Sequence, residues 1–167
     1  MGLFDFLKNK EQPSAAIFPA TLGAPAKGTF VAMEDVPDEV FSTGVLGTCC
    51  GVEPEEGKVY APADGKISQL TDTLHAVGIE ANGVEILIHV GVDTVEMIGD
   101  GFANMVKLGD TVNRGDLILT MDLQKIREAG HAATVIMAVT NSDEFASVEA
   151  ASSGTMQPGE DALRINK

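Results

Sequence analysis

Two of the chain's three histidines lie in one short apolar stretch, HAVGIEANGVEILIHVGVDT, at residues 75–94. His75 and His89 are fourteen residues apart, and the tripeptide ANG lies between them. An imidazole in apolar surroundings is costly to charge, so we expect at least one of the pair to be neutral at about pH 7. Because a neutral imidazole is a nucleophile or a metal ligand, these two side chains are the candidates for chemistry.

The segments on either side of ANG predict a β-hairpin, and the length of its loop determines where the two histidines lie. A three-residue loop pairs Glu80 with Val84 and places His75 directly opposite His89, with Cβ atoms about 5 Å apart. A two-residue Asn-Gly loop shifts the register by one residue and puts the histidines on opposite faces. Both loops have favourable turn chemistry. The three-residue loop is favoured because it collects small and aliphatic side chains on one unbroken face that suits a core.

The motifs of several other chemistries are missing from the sequence. No GxSxG elbow accompanies the histidines, which argues against a hydrolytic triad, and no P-loop is present to bind a nucleotide. Zinc needs at least a third ligand, and although Asp93 is close in sequence, no HExxH-type spacing supports a metal site. Cys49 and Cys50 are adjacent and are expected to be free core residues. The residues therefore favour a histidine that carries a group, with a second histidine to polarise it.

Short apolar segments separated by Gly, Pro and Asp make up the chain from about residue 20 onward. Most are rich in Val, Ile and Thr, which indicates strands, and their regular spacing predicts an all-β fold, an antiparallel β-sandwich or compressed barrel. Two short helices are expected, around residues 101–107 and 122–130. The sequences APAKG at 24–28 and APADG at 61–65 each precede a candidate strand, which indicates either duplicated hairpins or recurrent turn chemistry.

Length and charge limit the class of protein. The 167 residues predict one domain at residues 20–167 after a flexible leader and linker at residues 1–19. The net charge of −14 makes nucleic acid a poor partner and favours a partner with a basic surface. No apolar run is long enough to span a membrane and no signal peptide is visible, so we expect a cytoplasmic protein. Residues 1–10, MGLFDFLKNK, predict either a short amphipathic helix in transient contact with the inner face of the membrane or a frayed tail.

Four stretches of sequence resemble the glucose-type EIIA component of the bacterial sugar phosphotransferase system. They are VPDEVF at 36–41, APADGKI at 61–67, TLHAVGIE at 73–80 and VEILIHVGVDTVEMIGDGF at 84–102. The resemblance covers roughly residues 20–165, and MGLFDFLK resembles the membrane-touching leader of the free-standing members. It implies an antiparallel β-sandwich that carries a phosphoryl group and requires no metal or other cofactor.

The resemblance also implies a role for each active-site residue. His89 matches the family's phosphoryl acceptor, which takes the group through Nε2 from the phosphohistidine of the carrier protein HPr and passes it to a cysteine of an EIIB domain. His75 matches the second histidine, which donates an N–H to the phosphoryl oxygens. Thr73 matches the threonine that fixes the tautomer of His75, and backbone N–H groups around residues 91–93 are expected to meet the phosphate. The sequence leaves open whether zinc bridges His75 and His89 in a partner complex.

A docking surface around the histidines is implied by the same resemblance. Asp38 and Asp93 match acidic residues that meet a basic residue of HPr. The matching apolar positions are Val40, Phe41, Val45, Leu46, Val77, Leu87 and Val95. Several positions that are aromatic in the family are aliphatic here, and the loop between the histidines is about one residue shorter, which affects partner affinity more than chemistry.

Two other functions are alternatives. A regulatory binding module would use the same surface to control permeases or metabolic enzymes, because phosphorylation adds about −1.5 to −2 charges to that surface. A biotinyl- or lipoyl-type carrier is suggested by the APADGKI turn, but the Met-Lys attachment turn is missing and this alternative is set aside.

Overall fold

The computed structural model describes residues 18–167, and most of this part of the chain lies in short strands. In chain order the strands are β1 (Thr21–Gly23), β2 (Gly28–Val31), β3 (Thr48–Pro54), β4 (Lys58–Tyr60), β5 (Gly65–Leu70), β6 (Ala76–Ala81), β7 (Val84–Val90), β8 (Phe102–Asn104), β9 (Thr111–Val112), β10 (Leu117–Met121), β11 (Val135–Val139), β12 (Ser147–Ala150), β13 (Thr155–Met156) and β14 (Asp161–Asn166). The helices are α1 (Glu39–Ser42) and α2 (Leu123–Glu128), and 3-10 turns lie at Met33–Asp35, Thr94–Met97 and Ser142–Glu144.

The strands form one large sheet and two small ones, and every pairing between them is antiparallel. The large sheet has the order β13-β2-β3-β11-β7-β6-β5-β9, and the small sheets have the orders β1-β14-β12 and β4-β10-β8. Buried aliphatic side chains from all three sheets form the main core. The predicted antiparallel β-sandwich with short helices is therefore confirmed.

A second, smaller apolar cluster lies on the outer face of the large sheet. Its buried members are Val36, Phe41, Cys49, Ile136 and Ala138. β11, with the sequence VIMAV, is buried at every residue because alternate side chains enter the main core and this second cluster. Ile136 pairs with His89 of β7, so the cluster adjoins that histidine.

The hairpin of β6 and β7 has a two-residue loop, so the three-residue loop favoured by the face pattern is wrong. The register pairs Ala76 with His89. Asn82 and Gly83 have φ values of 49° and 94°, as a type I′ turn requires. The twist of this turn matches the twist of the two strands that it joins. This match outweighs the preference of the face pattern for the three-residue loop. The core face of the hairpin is consequently made by Val77, Ile79, Ala81, Val84, Ile86 and Ile88.

One of the two expected helices is present. α2 lies within the predicted range, and the carboxylate of Asp122 accepts a hydrogen bond from the N–H of Lys125 at its start (3.1 Å). The prediction of a helix at 101–107 is wrong, because this segment contains β8, which pairs with β10. Backbone hydrogen bonds to a neighbouring strand outweigh a helical preference in so short a segment.

The two copies of the Ala-Pro-Ala motif lie side by side. The N–H of Gly23 donates to the carbonyl oxygen of Pro62 (2.8 Å), and the N–H of Tyr60 donates to that of Pro25 (2.8 Å). Each copy leads into a hairpin, β2 with β3 and β5 with β6. The fold therefore has the expected duplicated-hairpin character.

Cys49 and Cys50 are free and buried, as predicted. Burial and, to a smaller extent, the nearby carboxylate of Asp38 together raise the pKa of the Cys49 thiol to about 11. Burial also raises the pKa of Cys50. Both thiols therefore stay protonated near neutral pH and act as packing groups.

The predicted leader at residues 1–10 lies outside the described residues. At the start of the described part, the ring of Phe18 contacts that of Phe145, with centroids 5.5 Å apart, and the ammonium group of Lys167 lies 4.5 Å from the Phe18 centroid. Within residues 18–167, the helices are all too short or too polar to cross a bilayer.

Candidate active site

The imidazole rings of His75 and His89 are in contact. Their centroids are 4.9 Å apart and their planes meet at 85°, so the edge of one ring faces the other. The prediction that a two-residue loop would separate the two histidines is wrong. His75 precedes the first residue of β6 and follows Leu74, whose backbone is left-handed (φ 63°), so strand alternation does not set the direction of its side chain.

The backbone that follows β7 orients the ring of His89. Nδ1 of His89 lies 2.9 Å from the carbonyl oxygen of Gly91, which can only accept a hydrogen bond, so Nδ1 carries the proton of the neutral ring. Gly91 has a φ of 79°, and its N–H donates to the carbonyl oxygen of Thr134 (2.8 Å). The hydroxyl of the buried Thr94 donates to the carbonyl oxygen of Val90. The lone pair of neutral His89 is consequently on Nε2.

Thr73 has an equivalent role for His75. Its Oγ1 lies 2.7 Å from Nδ1 of His75. When this hydroxyl donates to Nδ1, the proton of the neutral His75 ring is on Nε2. The two rings then differ in tautomer: His89 presents a lone pair at Nε2, and His75 presents an N–H donor at the same position.

Burial lowers the pKa of both histidines. For His89 the main cause is desolvation, and the neighbouring His75 lowers the pKa further. The hydrogen bond to Gly91 and the carboxylates of Asp38 and Asp93 oppose this shift only in part. For His75 desolvation lowers the pKa, and a hydrogen bond with the backbone of Thr73 opposes this shift only in part. Both rings are therefore predominantly neutral near pH 7, as expected for an imidazole nucleophile.

Phe41 packs against the ring of His89 from the segment that contains α1. The two ring centroids are 5.0 Å apart with the planes tilted by 52°. Asp38 starts α1 by accepting a hydrogen bond from the N–H of Val40 (3.0 Å), and the Sγ of Cys49 contacts the carbonyl oxygen of Phe41 (3.4 Å). The segment that contains α1 therefore places the aromatic ring of Phe41 and the carboxylate of Asp38 beside the histidine pair.

The family model described as phosphoenolpyruvate-dependent sugar phosphotransferase system, EIIA 1, matches residues 20–145. The chain belongs to this EIIA family. Membership confirms the resemblance to glucose-type EIIA components and gives the chain a phosphotransfer role in sugar transport.

Several curated relatives and one solved structure are similar over most of the chain. The glucose-specific EIIA component of Halalkalibacterium halodurans is 38% identical over 96% of this chain and 94% of its own length. The solved glucose permease IIA of Mycoplasma capricolum is 32% identical, with a TM-score of 0.77 over 86% of this chain and 93% of its own. The β-glucoside-specific EIIBCA component of Dickeya chrysanthemi is 38% identical over 90% of this chain, which spans 26% of that longer protein.

Most of the predicted docking residues of this EIIA chain lie at the surface in segments that adjoin the histidines. Four are apolar side chains that are between 36% and 76% exposed: Val40, Val45, Leu46 and Val95. Asp93 is exposed, and Leu87 is half-buried on the same sheet face as His89. Val77 was assigned wrongly, because it is 1% exposed and points into the main core. The two-residue hairpin loop accounts for this error, since it puts Val77 on the opposite face from His89.

Two of the backbone groups that were expected to meet the phosphate are already used within the fold. The N–H of Gly91 donates to Thr134, and the N–H of Val92 donates to the carbonyl oxygen of Ala132 (3.0 Å). These two bonds attach the turn after His89 to the segment that leads into β11. The expected contribution of these two N–H groups to phosphate binding is therefore wrong.

Thr94 is a buried polar residue beside the site that the sequence analysis does not identify. Its hydroxyl bonds a carbonyl four residues earlier, a common pattern for Ser and Thr. That spacing is visible in HVGVDT, since Thr94 comes four residues after Val90, the last residue of β7. Without the burial of Thr94, however, nothing distinguishes it from a solvated turn residue.

Among the described residues, the site brings two potential metal ligands into contact, His75 and His89. No cluster of three or more His, Cys, Asp or Glu side chains with metal-binding geometry occurs in the part of the chain that the structure describes. Zinc is usually four-coordinate in proteins, so a zinc ion on His75 and His89 would need ligands from a partner.

Proposed function

We propose that this EIIA chain carries the phosphoryl group on Nε2 of His89. In the first step Nε2 forms a bond to the phosphorus of phosphohistidine on HPr while the donor's N–P bond breaks. In the second step the thiolate of a cysteine on an EIIB domain forms an S–P bond while the N–P bond of His89 breaks. The observation that carries this proposal is the hydrogen bond from Nδ1 of His89 to Gly91, which leaves Nε2 as the nucleophilic nitrogen.

The electrostatics of the pair support the same assignment. A nucleophilic imidazole must be neutral, and burial lowers the pKa of His89. Catalysis of phosphoryl transfer relies on positioning and on stabilisation of negative charge. In the tautomer set by Thr73, the Nε2–H of His75 donates to the phosphoryl oxygens at the neighbouring Nε2 of His89.

The surface around the pair suits transient docking of the two partners. Asp38 and Asp93 place negative charge beside His89, which favours a partner with a basic side chain near its own phosphorylated residue. The exposed apolar side chains of the α1 segment and of Val95 supply contact area. An EIIB partner is supported by relatives such as the EIIBCA component of Dickeya chrysanthemi, whose name joins EIIA with EIIB and EIIC.

Phosphorylation by purified enzyme I and HPr with labelled phosphoenolpyruvate tests this proposal. The wild-type chain is expected to take up one phosphate that is labile in acid and stable in base. His89→Ala is expected to take up none, whereas His75→Gln is expected to accept phosphate and to pass it to EIIB poorly. His131→Ala is the matched control and is expected to behave as wild type. Labelling of His89→Ala would refute the proposed acceptor.

A further inference from the structure

Ile98 ends the 3-10 turn that follows the active-site strand, and its conformation is unfavourable for its residue type. Its backbone is left-handed (φ 52°, ψ 46°), and its N–H donates to the carbonyl oxygen of Val95 (3.1 Å). A β-branched side chain is strained in this region because Cβ crowds the backbone carbonyl. Glycine or asparagine is the usual residue where a helical turn ends in this way.

Ile98 differs from the other non-glycine residues with positive φ in the described fold. Three other non-glycine residues among 18–167 have positive φ, namely Leu74, Asn82 and Asp93. Asn and Asp tolerate the left-handed region, and the side chain of Leu74 packs against the main core. The side chain of Ile98, in contrast, is 80% exposed. It therefore carries backbone strain without the benefit of burial.

The position of Ile98 connects it to both histidines. The turn begins five residues after His89, and Gly99 follows Ile98 at its end. A Cβ added at Gly99 would lie 3.5 Å from Cδ1 of Leu74 and 3.8 Å from the carbonyl oxygen of Thr73. Ile98 is thus at the point where the turn after His89 meets the segment that leads into His75.

We propose that Ile98 is a docking residue that inserts into an apolar depression on HPr, the phosphoryl donor. This inference rests on the proposed function. The exposed Ile98 extends the apolar surface that Val95 begins on the same turn, so it is continuous with the proposed docking surface. The exposed carboxylates of Asp93 and Glu96 flank it, which fits a donor surface with an apolar depression and a basic rim.

A docking role predicts a particular kinetic signature. Ile98 is not part of the histidine pair, so it binds the donor equally well before and during transfer. Losing such a contact raises KM and leaves kcat unchanged. Burial of one large aliphatic side chain corresponds to a change in affinity of roughly tenfold or more.

The test compares Ile98→Asn, Ile98→Leu and the control Leu108→Asn in single-turnover and steady-state phosphorylation by phospho-HPr. Asparagine tolerates the left-handed backbone, so Ile98→Asn is expected to melt at or above the wild-type temperature while its KM for phospho-HPr rises about tenfold. Ile98→Leu keeps an apolar side chain and is expected to retain a KM near the wild-type value. Leu108 is 67% exposed on another loop, and its replacement is expected to leave KM unchanged.

Three results would overturn the inference. They are a KM for Ile98→Asn within twofold of wild type, a clear fall in its melting temperature, and an effect confined to transfer to EIIB. Failure of the proposed function looks different, because then the wild-type chain itself takes up no phosphate from phospho-HPr.

Discussion

Replacing Thr94 with valine is expected to destabilise the protein through one hydrogen bond. The side chain of Thr94 is fully buried, its hydroxyl donates to the carbonyl oxygen of Val90, and its Cγ2 packs against Gly91. Valine has nearly the same shape, so the packing is retained and only the hydrogen bond is lost. A buried carbonyl that loses its partner costs about 1–3 kcal/mol. For a chain of this length, 1 kcal/mol corresponds to about 2–4 °C in Tm, so Tm is expected to fall by roughly 2–12 °C.

The measurements are thermal unfolding for Tm and urea unfolding for the free energy, both followed by far-ultraviolet circular dichroism because the chain has no tryptophan and one tyrosine. Thr140→Val is the matched control, because the hydroxyl of Thr140 donates to the carbonyl oxygen of Glu85 (3.3 Å) at an exposed position. Loss of this exposed hydrogen bond is expected to lower the free energy of unfolding by less than about 0.5 kcal/mol. If Thr94→Val unfolds at the same urea concentration as Thr140→Val, the buried hydrogen bond does not stabilise the turn.

The same substitution is expected to change the tautomer of His89. The Val90 carbonyl adjoins Gly91, whose own carbonyl accepts from Nδ1 of His89. Nitrogen-15 spectra of labelled histidine are expected to show the proton on Nδ1 in the wild type and a mixture of tautomers in Thr94→Val. A single unchanged tautomer in Thr94→Val would show that the Thr94 hydroxyl is not needed to orient the ring.

Three further predictions concern the same site. Thr73→Val removes the hydroxyl that is 2.7 Å from Nδ1 of His75 and is expected to slow transfer to EIIB about tenfold in rapid-quench experiments; an unchanged rate would argue against tautomer control. Gly91→Ala is expected to lower the free energy of unfolding by more than about 1 kcal/mol, because φ is positive there and an added Cβ would clash with a methyl carbon of Thr94. In urea unfolding, Gly91→Ala is expected to lose more free energy of unfolding than Gly130→Ala. At Gly130 φ is also positive, but an added Cβ would have no neighbour within 4 Å. Folding lowers the pKa of both paired histidines below the usual histidine value of about 6.5, so the unfolded chain binds more protons just below that pH. The free energy of unfolding is therefore expected to fall as the pH drops below about 6.5. Replacing both with glutamine is expected to flatten that part of the profile, and an unchanged slope would contradict the lowered pKa values.

The hairpin illustrates how far local sequence can predict this fold. The sequence predicts both the strands and the Asn-Gly turn, but Ala76 and Gly78 are small enough to suit either face of the sheet. The face pattern therefore gave little discrimination between the two registers, and the type I′ turn prevailed. The error in Val77 follows from that choice of register alone. The missing helix at 101–107 has a different cause, because β10 supplies hydrogen-bond partners that no local pattern reports.

In the active site, too, some features are predicted by the sequence and others depend on the folded structure. The residue types of His75 and His89 indicated the chemistry, because each role depends on the functional group itself, and the role of Thr73 was implied by the resemblance to the EIIA family. The tautomer of His89 depends on where one carbonyl, that of Gly91, lies in space. The buried hydroxyl of Thr94 and the strained backbone of Ile98 likewise depend on how the turn after β7 is folded.

By itself the amino-acid sequence determined that two histidines in apolar segments belong to an antiparallel β protein with a strong net negative charge. It could do so because residue type, periodicity and charge are local properties. The tertiary structure alone decided that the rings meet, although the hairpin register would have kept two regular strand residues apart. The left-handed residue before His75 releases that side chain from strand alternation, and the packing that stabilises such a conformation comes from residues distant in the chain.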